Sequence, residues 1–283
     1  MKPIAQQTIL LTGATDGLGK QTALALARQG ATLLLHGRDP QRLETTRQEI
    51  RDATGNSHLE TYRADFASLA QVRSLAQAVQ AKHPRLDLLI NNAGIGGGKS
   101  GEARREVSQD GYELRFAVNY LAPFLLTHLL LPCLRHTPPS RIINVSSAGQ
   151  VPLDFGDVML ERHYDPLNAY RQSKLAQVMF TFDLAEKLKE EQITVNCLHP
   201  ASLMNTKMVY ESFGYTLSTI EDGVNALMYL ATSPDLDGVT GKYFDQQQES
   251  RANAQAYDLA ARHQLRQLSE QLTGLSGDAR EVN

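Results

Sequence analysis

Residues 8–37 read TILLTGATDGLGKQTALALARQGATLLLHG, and the fold class follows from their pattern. Thr8 to Leu11 and Thr32 to His36 are short apolar runs of strand length, while Leu18 to Gln29 repeats its apolar positions with a helical period. Strand, turn, helix and strand within about 30 residues make a βαβ unit, with parallel strands and a right-handed crossover. Gly30 follows the helix as a natural C-terminal cap. The turn itself carries glycines at 13, 17 and 19. Glycine there permits tight or positive-φ backbone and lets an anion approach the main chain. The helix opening near Leu18 aims unpaired N–H groups and its positive end at that anion. The turn therefore reads as a phosphate site.

The same alternation continues outward. Leu59 to Arg63, Leu86 to Ile90, Arg141 to Val145 and Thr194 to Leu198 read as further strands, several of them near-continuous apolar runs. Pro40 to Ala53, Leu69 to Lys82, Tyr112 to Leu134 and Leu167 to Glu190 read as helices. The chain is thus α/β, a parallel sheet covered by helices on both faces. It has no internal repeat, linker or composition break across its 283 residues, so one domain is expected over residues 1–245. Residues 246–283 read as a helical extension of that domain, on the spacing of Ala256, Leu259, Ala260, Leu265, Leu268 and Leu272, with the last ten residues mobile.

Composition excludes several classes. Hydrophobic residues at 42% and charged residues at 21% exclude a disordered chain, and a net charge of −3 gives no footprint for nucleic acid or an anionic membrane. Cys133 and Cys197 lie in separate apolar segments, too few for a disulfide framework, and read as buried thiols of a reducing compartment. The opening MKPIAQQTILLTG has no signal-peptide pattern, and the most apolar stretch, residues 124–131, is closed by Pro132. A soluble cytoplasmic protein is expected. No group of His, Cys, Asp and Glu has metal-ligand spacing, so no metal is expected.

After the second strand the chain reads LLLHGRD. An NAD-preferring site usually places an acid there to hold the adenosine ribose. Gly37 takes that place, followed by Arg38, whose planar fork suits a 2′-phosphate, although Asp39 stands beside it. The expectation is NADP(H), with NAD(H) second. Asp65 in ADF and NNAG at 91–94 follow the third and fourth strands, where they either contact the adenosine or simply form turns. Gly94 to Gly101, GIGGGKSG, reads as a flexible loop at the ligand-bearing sheet edge.

Tyr170 is the tyrosine with a lysine four residues on, Lys174. On a helix the two share a face, and a nearby ammonium stabilises phenolate. Ser147, in INVSSAG, stands at the end of the fifth strand as a hydrogen-bond donor to a carbonyl. Asn119 lies inside the apolar FAVNYLAPF, where an amide needs a partner, and Pro123 has no N–H for the Asn119 carbonyl.

Together TGATDGLG, NNAG, Asn119, VSS with Ser147 and YRQSK from Tyr170 to Lys174 resemble the short-chain dehydrogenase/reductase superfamily. The resemblance spans residues 5–245. HGRD, GKYF, LRQLSEQLTGL and the stretch from Ser108 to Pro132 look closest to its retinol-dehydrogenase-like branch. It implies a Rossmann-type fold with a seven-stranded parallel sheet. It implies that Tyr170 is the general acid/base, that Lys174 holds the nicotinamide ribose and lowers the tyrosine pKa, that Ser147 polarises the substrate oxygen and that Asn119 anchors a water. It implies cofactor contacts from Gly13, Thr15, Asp16, Gly17, Leu18 and Gly19 of the turn. Others would come from Arg38, from Asp65 and Phe66, and from Asn92, Ala93 and Gly94. Pro200 and Thr206 would join Tyr170 and Lys174 at the nicotinamide.

Three departures from the family pattern stand out. The interval from Ser147 to Tyr170 is long, which reads as an enlarged substrate loop over residues 151–169, with a second substrate loop over 203–222. HPASLMNT replaces the usual HPG-plus-threonine pattern, with Thr206 one position late. Animal members of the branch commonly carry an N-terminal membrane segment, so a retinoid substrate does not carry over. The reaction expected is carbonyl reduction or alcohol oxidation on a partly apolar substrate walled by residues 151–168 and 203–219. Met208, Tyr210, Phe213 and Tyr215 would be lining or lid. Tyr164 reads as a substrate-loop residue and His199 as the support of the turn before Pro200. Two other readings remain: an NADPH sensor without turnover, which needs no proton donor, and reduction of a polarised C=C bond. The long apolar helices are those through which this superfamily commonly forms dimers, so a homodimer is expected.

Overall fold

The computed structural model describes residues 1–98 and 104–275. The last part of the 94–101 loop and nearly all of the ten-residue tail lie outside the described residues.

The chain alternates as its pattern dictates: β1 (Thr8–Leu11), α1 (Gly17–Arg28), β2 (Thr32–Gly37), α2 (Pro40–Thr54), β3 (Leu59–Arg63), α3 (Leu69–Lys82) and β4 (Leu88–Asn91). Then follow α4 (Leu114–Phe116), a π-helical turn at Ala117–Leu121, α5 (Ala122–Arg135), β5 (Ser140–Val145), α6 (Pro166–Lys187) and β6 (Ile193–His199). The chain ends with α7 (Lys207–Phe213), α8 (Ile220–Thr232), β7 (Tyr243–Asp245), β8 (Gln248–Ser250) and α9 (Leu259–Thr273). The sheet order is β3-β2-β1-β4-β5-β6-β7-β8. Its order reverses between β1 and β4, and α/β sheets bind ligands at such a switch point.

Seven strands are parallel, as expected, and an antiparallel eighth is added at the edge by β8. QES at 248–250 is wholly exposed and carries no apolar alternation, so the sequence gives no strand signal there. The 246–283 segment therefore begins as a hairpin strand, and its α-helix starts at Leu259.

Alternate residues of the central strands feed two cores. Leu10, Leu34 and Leu89 face α3, α5 and α6, while Ile9, Leu11, Leu33 and Leu35 face α1, α2 and α8. Each is fully buried, which contributes about 1.5–3 kcal/mol per side chain. The span Leu114–Arg135 is long and apolar enough to cross a membrane, but 83% of its apolar window is buried inside the molecule. Here the long apolar pattern marks a core helix.

The tail lies across the α6 side. Tyr120 Oη and Ser269 Oγ are 2.7 Å apart, Tyr112 Oη donates to Leu272 O, and Arg266 pairs with Asp183. The turn at Ala254–Tyr257 braces the substrate loop instead, Gln255 bonding both backbone groups of Leu153.

Candidate active site

The glycine turn is built against the loop after β4. Gly13 and Gly17 have φ of +69° and +47°, which favours glycine. A Cβ at Gly19 would stand 2.0 Å from Gly13 O, and one at Gly13 would stand 2.8 Å from Ala93 Cα. Asn92 Nδ2 donates to Thr12 O and Gly13 O, while Thr12 Oγ1 accepts from Asn92 N and Ala93 N. Asp16 caps α1 and pairs with Arg42 at 2.9 Å. Burial opposes its ionisation, but Arg42 and the Gly17 amide outweigh that and hold the carboxyl below its usual range. A cradle whose side-chain space is taken by backbone fits a dinucleotide pyrophosphate.

His36 is a polar residue inside an apolar strand and belongs to the site's support. It is 3% exposed and stacks on Phe66 at 4.3 Å. Its Nε2 lies 3.0 Å from Ala64 O and so carries the proton, leaving Nδ1 to accept from Gly13 N at 3.3 Å. Burial pushes the imidazole down to about 4. Phe66 is thus a packing support whose ring lies under His36. Asp65 Oδ1 accepts from Ala67 N in a turn. Arg38 is exposed, and its carbonyl accepts from Arg63. A Cβ at Gly37 would stand 2.8 Å from Thr15 Cγ2 and 3.2 Å from Leu43 Cγ, so a side chain here would have to displace those groups.

Past the switch point, Asn119 sits in the π-helical turn, fully buried. Such turns often mark functional sites. Its amide is clasped: Oδ1 accepts from Ile95 N at 2.8 Å, and Nδ2 donates to Ile95 O and Ser173 Oγ, both at 3.0 Å. Ser147 follows β5, its Oγ accepting from Gly149 N at 3.1 Å, and it lies near enough to Tyr170 on α6 to act on the phenol. Lys174 Nζ lies 5.8 Å from the Tyr170 ring centre and donates to Val145 O and Gln177 Oε1 at 2.8 and 3.0 Å. A Cβ at Gly94 would stand 3.2 Å from Asn119 Oδ1 and 3.7 Å from Lys174 Nζ. The four residues expected to act together are therefore one group.

The electrostatics differ from expectation. Burial raises the Tyr170 phenol, the nearby Ser147 hydroxyl only partly offsetting it, and burial pushes Lys174 down to about 7. In this buried site desolvation disfavours charge on both groups.

Thr206 caps α7 and touches the glycine turn, its Cγ2 3.4 Å from where a Gly17 Cβ would be. Pro200 follows β6 and is buried, and His199 Nε2 meets Ser202 Oγ at 3.0 Å to brace the same bend. A Cβ at Gly96 would stand 2.8 Å from Met208, so α7 packs on the loop after β4, while Tyr210, Phe213 and Tyr215 stay exposed. Tyr164 has a structural task, its hydroxyl meeting Arg115 and Glu113 at 2.6 and 3.2 Å.

A parallel sheet with a glycine cradle at its switch point and a serine–tyrosine–lysine group beside it defines a nicotinamide-dependent dehydrogenase or reductase. The chain belongs to the short chain dehydrogenase family, whose pattern matches residues 7–217. Its relatives place it in the retinol-dehydrogenase-like branch. It is 37% identical to Retinol dehydrogenase 13 of Mus musculus, over 96% of this chain and 85% of that one. It is 36% identical to Retinol dehydrogenase 14 of Homo sapiens, over 95% and 87%. Among solved structures, a Mycobacterium paratuberculosis protein matches with a TM-score of 0.79 and 29% identity, over 97% of this chain and 96% of that one. A short chain dehydrogenase from Escherichia coli complexed with NADPH matches at 0.69 and 28%, over 86% and 97%. A 3-ketoacyl-(acyl-carrier-protein) reductase from Brucella melitensis complexed with NADH matches at 0.69 and 25%, over 86% and 97%.

Proposed function

We propose that the protein is an NADP(H)-dependent carbonyl reductase or alcohol dehydrogenase acting on a partly apolar small molecule, in the cytoplasm and as a homodimer. The observation that carries the reading is Lys174 Nζ 5.8 Å from the Tyr170 ring centre on the same helix, with Ser147 beside the phenol and the glycine cradle next to them. When bound, the nicotinamide supplies or accepts the hydride. Tyr170 holds a proton at its hydroxyl for the oxygen of the substrate, which gains charge as the carbonyl is reduced. Ser147 Oγ donates to the same oxygen and fixes its place. Lys174 offers a donor to the ribose, and Asn119 keeps the loop carrying Gly94 and Ile95 closed against it. Residues 151–168 and 203–219 form the walls that exclude water.

NADP(H) is favoured by Gly37 and Arg38. A charge-assisted bond to phosphate contributes about 1.5–3 kcal/mol, so Arg38→Ala is expected to weaken NADPH binding by about 10- to 100-fold and leave NADH unchanged. Fluorescence titration with both cofactors, and nicotinamide absorbance on a panel of aldehydes, ketones and quinones, check this. A preference for NADH in the native chain overturns the NADP(H) reading.

A further inference from the structure

We infer that Gln177 is a positioning residue for Lys174, aiming its free N–H at the cofactor pocket while leaving the amine able to release a proton. The inference rests on the proposed role of Lys174. Both residues lie on α6, one turn apart, and they are 1% and 5% exposed. A lysine ammonium has three donors. Val145 O and Gln177 Oε1 take two of them, at 2.8 and 3.0 Å, which fixes the direction of the third. Gly94 lies on the pocket side, its missing side chain leaving Nζ open toward the space a ribose would fill.

Packing does not explain a glutamine at this place. Its Nε2 is buried and has no partner among the described residues. A leucine would fill similar space without an unpaired donor, and leaving a buried donor unpaired is costly. The neighbouring polar layer uses a different part of the residue. Asn91 Nδ2 donates to Asn144 Oδ1, Asn144 Nδ2 to Thr181 Oγ1, and Thr181 Oγ1 to the Gln177 carbonyl. The side-chain oxygen is given to Lys174 alone.

The neutrality of that oxygen matters as much as its position. Tyr170 is the titratable group facing Lys174 from α6, while β5 presents the Val145 carbonyl and the loop after β4 and the π-helical turn present Gly94 and Asn119. A carboxylate at 177 would be the first full charge against the ammonium and would lock its proton in place. An amide orients the amine without doing so.

The experiment compares Gln177→Leu and Gln177→Glu with the native chain, reading NADPH affinity by fluorescence across a pH series. Affinity falls as Lys174 loses its charge. Glu is expected to move that fall upward and Leu to move it downward, by roughly one to three pH units. In turnover Leu is expected to lower kcat about tenfold or more, with KM for the carbonyl nearly unchanged. Shifts of opposite sign are beyond a packing role. Shifts of the same sign, or none, overturn the inference. Circular dichroism reports folding, and Gln177→Met replaces Leu should Leu fail to fold. Full turnover in Tyr170→Phe would sink the proposed reaction, while the affinity shifts would still report on Gln177.

Discussion

At the residue scale, His36 joins three strand ends. Its ring is carried on β2, accepts from the turn after β1 and donates to the carbonyl after β3. Only the neutral imidazole can make both bonds. An unfolded histidine titrates near 6.5 and this one near about 4, so the folded state refuses a proton the unfolded chain takes. Above about pH 6.5 nothing is lost. As pH falls from there to about 4, stability drops by about 1.4 kcal/mol per unit, about 3 kcal/mol in all. Urea denaturation should show that His36→Asn, less stable at neutral pH, loses less of its stability across this window than the native chain. Equal losses would contradict the assignment.

The elements show why some positions read directly from the sequence and others did not. Strands buried on both faces are apolar runs, and α3 is observed at its expected limits. Asn119 stood out as an amide among apolar residues, and the same test finds Gln177 in KLAQVMF and His36 in LLLHG. The helix expected over 112–134 is broken by the π-helical turn, which positions Asn119 and carries no residue signature of its own. α7 and the first turn of α8 fall where a substrate loop was expected over 203–222, although Thr219 and Asp222 form a capping box. The turn between β1 and α1 is the element least open to change. Gly19→Ala puts a Cβ against Gly13 O and is expected to cost about 1–3 kcal/mol and to abolish NADPH binding. Thermal melting and cofactor titration check it, with Gly55→Ala, where no atom lies within 4 Å, as the comparison for positive φ alone.

At the scale of the whole molecule, α9 covers the aromatic cluster of Tyr120, Phe124 and Phe180. The proposed homodimer would use what α9 leaves open of α5 and α6. Removing residues 252–283 bares that cluster, and light scattering is expected to show the shortened chain at a larger assembly than the full one. An unchanged assembly would mean that the cover plays no part in association. The long hydrophobic helix, the polar tail and the edge strand are each ambiguous in sequence because their meaning depends on what packs against them.

The most direct measurement of the central claim is NADPH oxidation by the native chain and by Tyr170→Phe on the carbonyl panel, with cofactor affinity measured in parallel. The account predicts turnover in the native chain that collapses in the variant by about 100-fold or more while NADPH affinity persists. Retained turnover in the variant, or tight NADPH binding by the native chain with no turnover on any member, would contradict it.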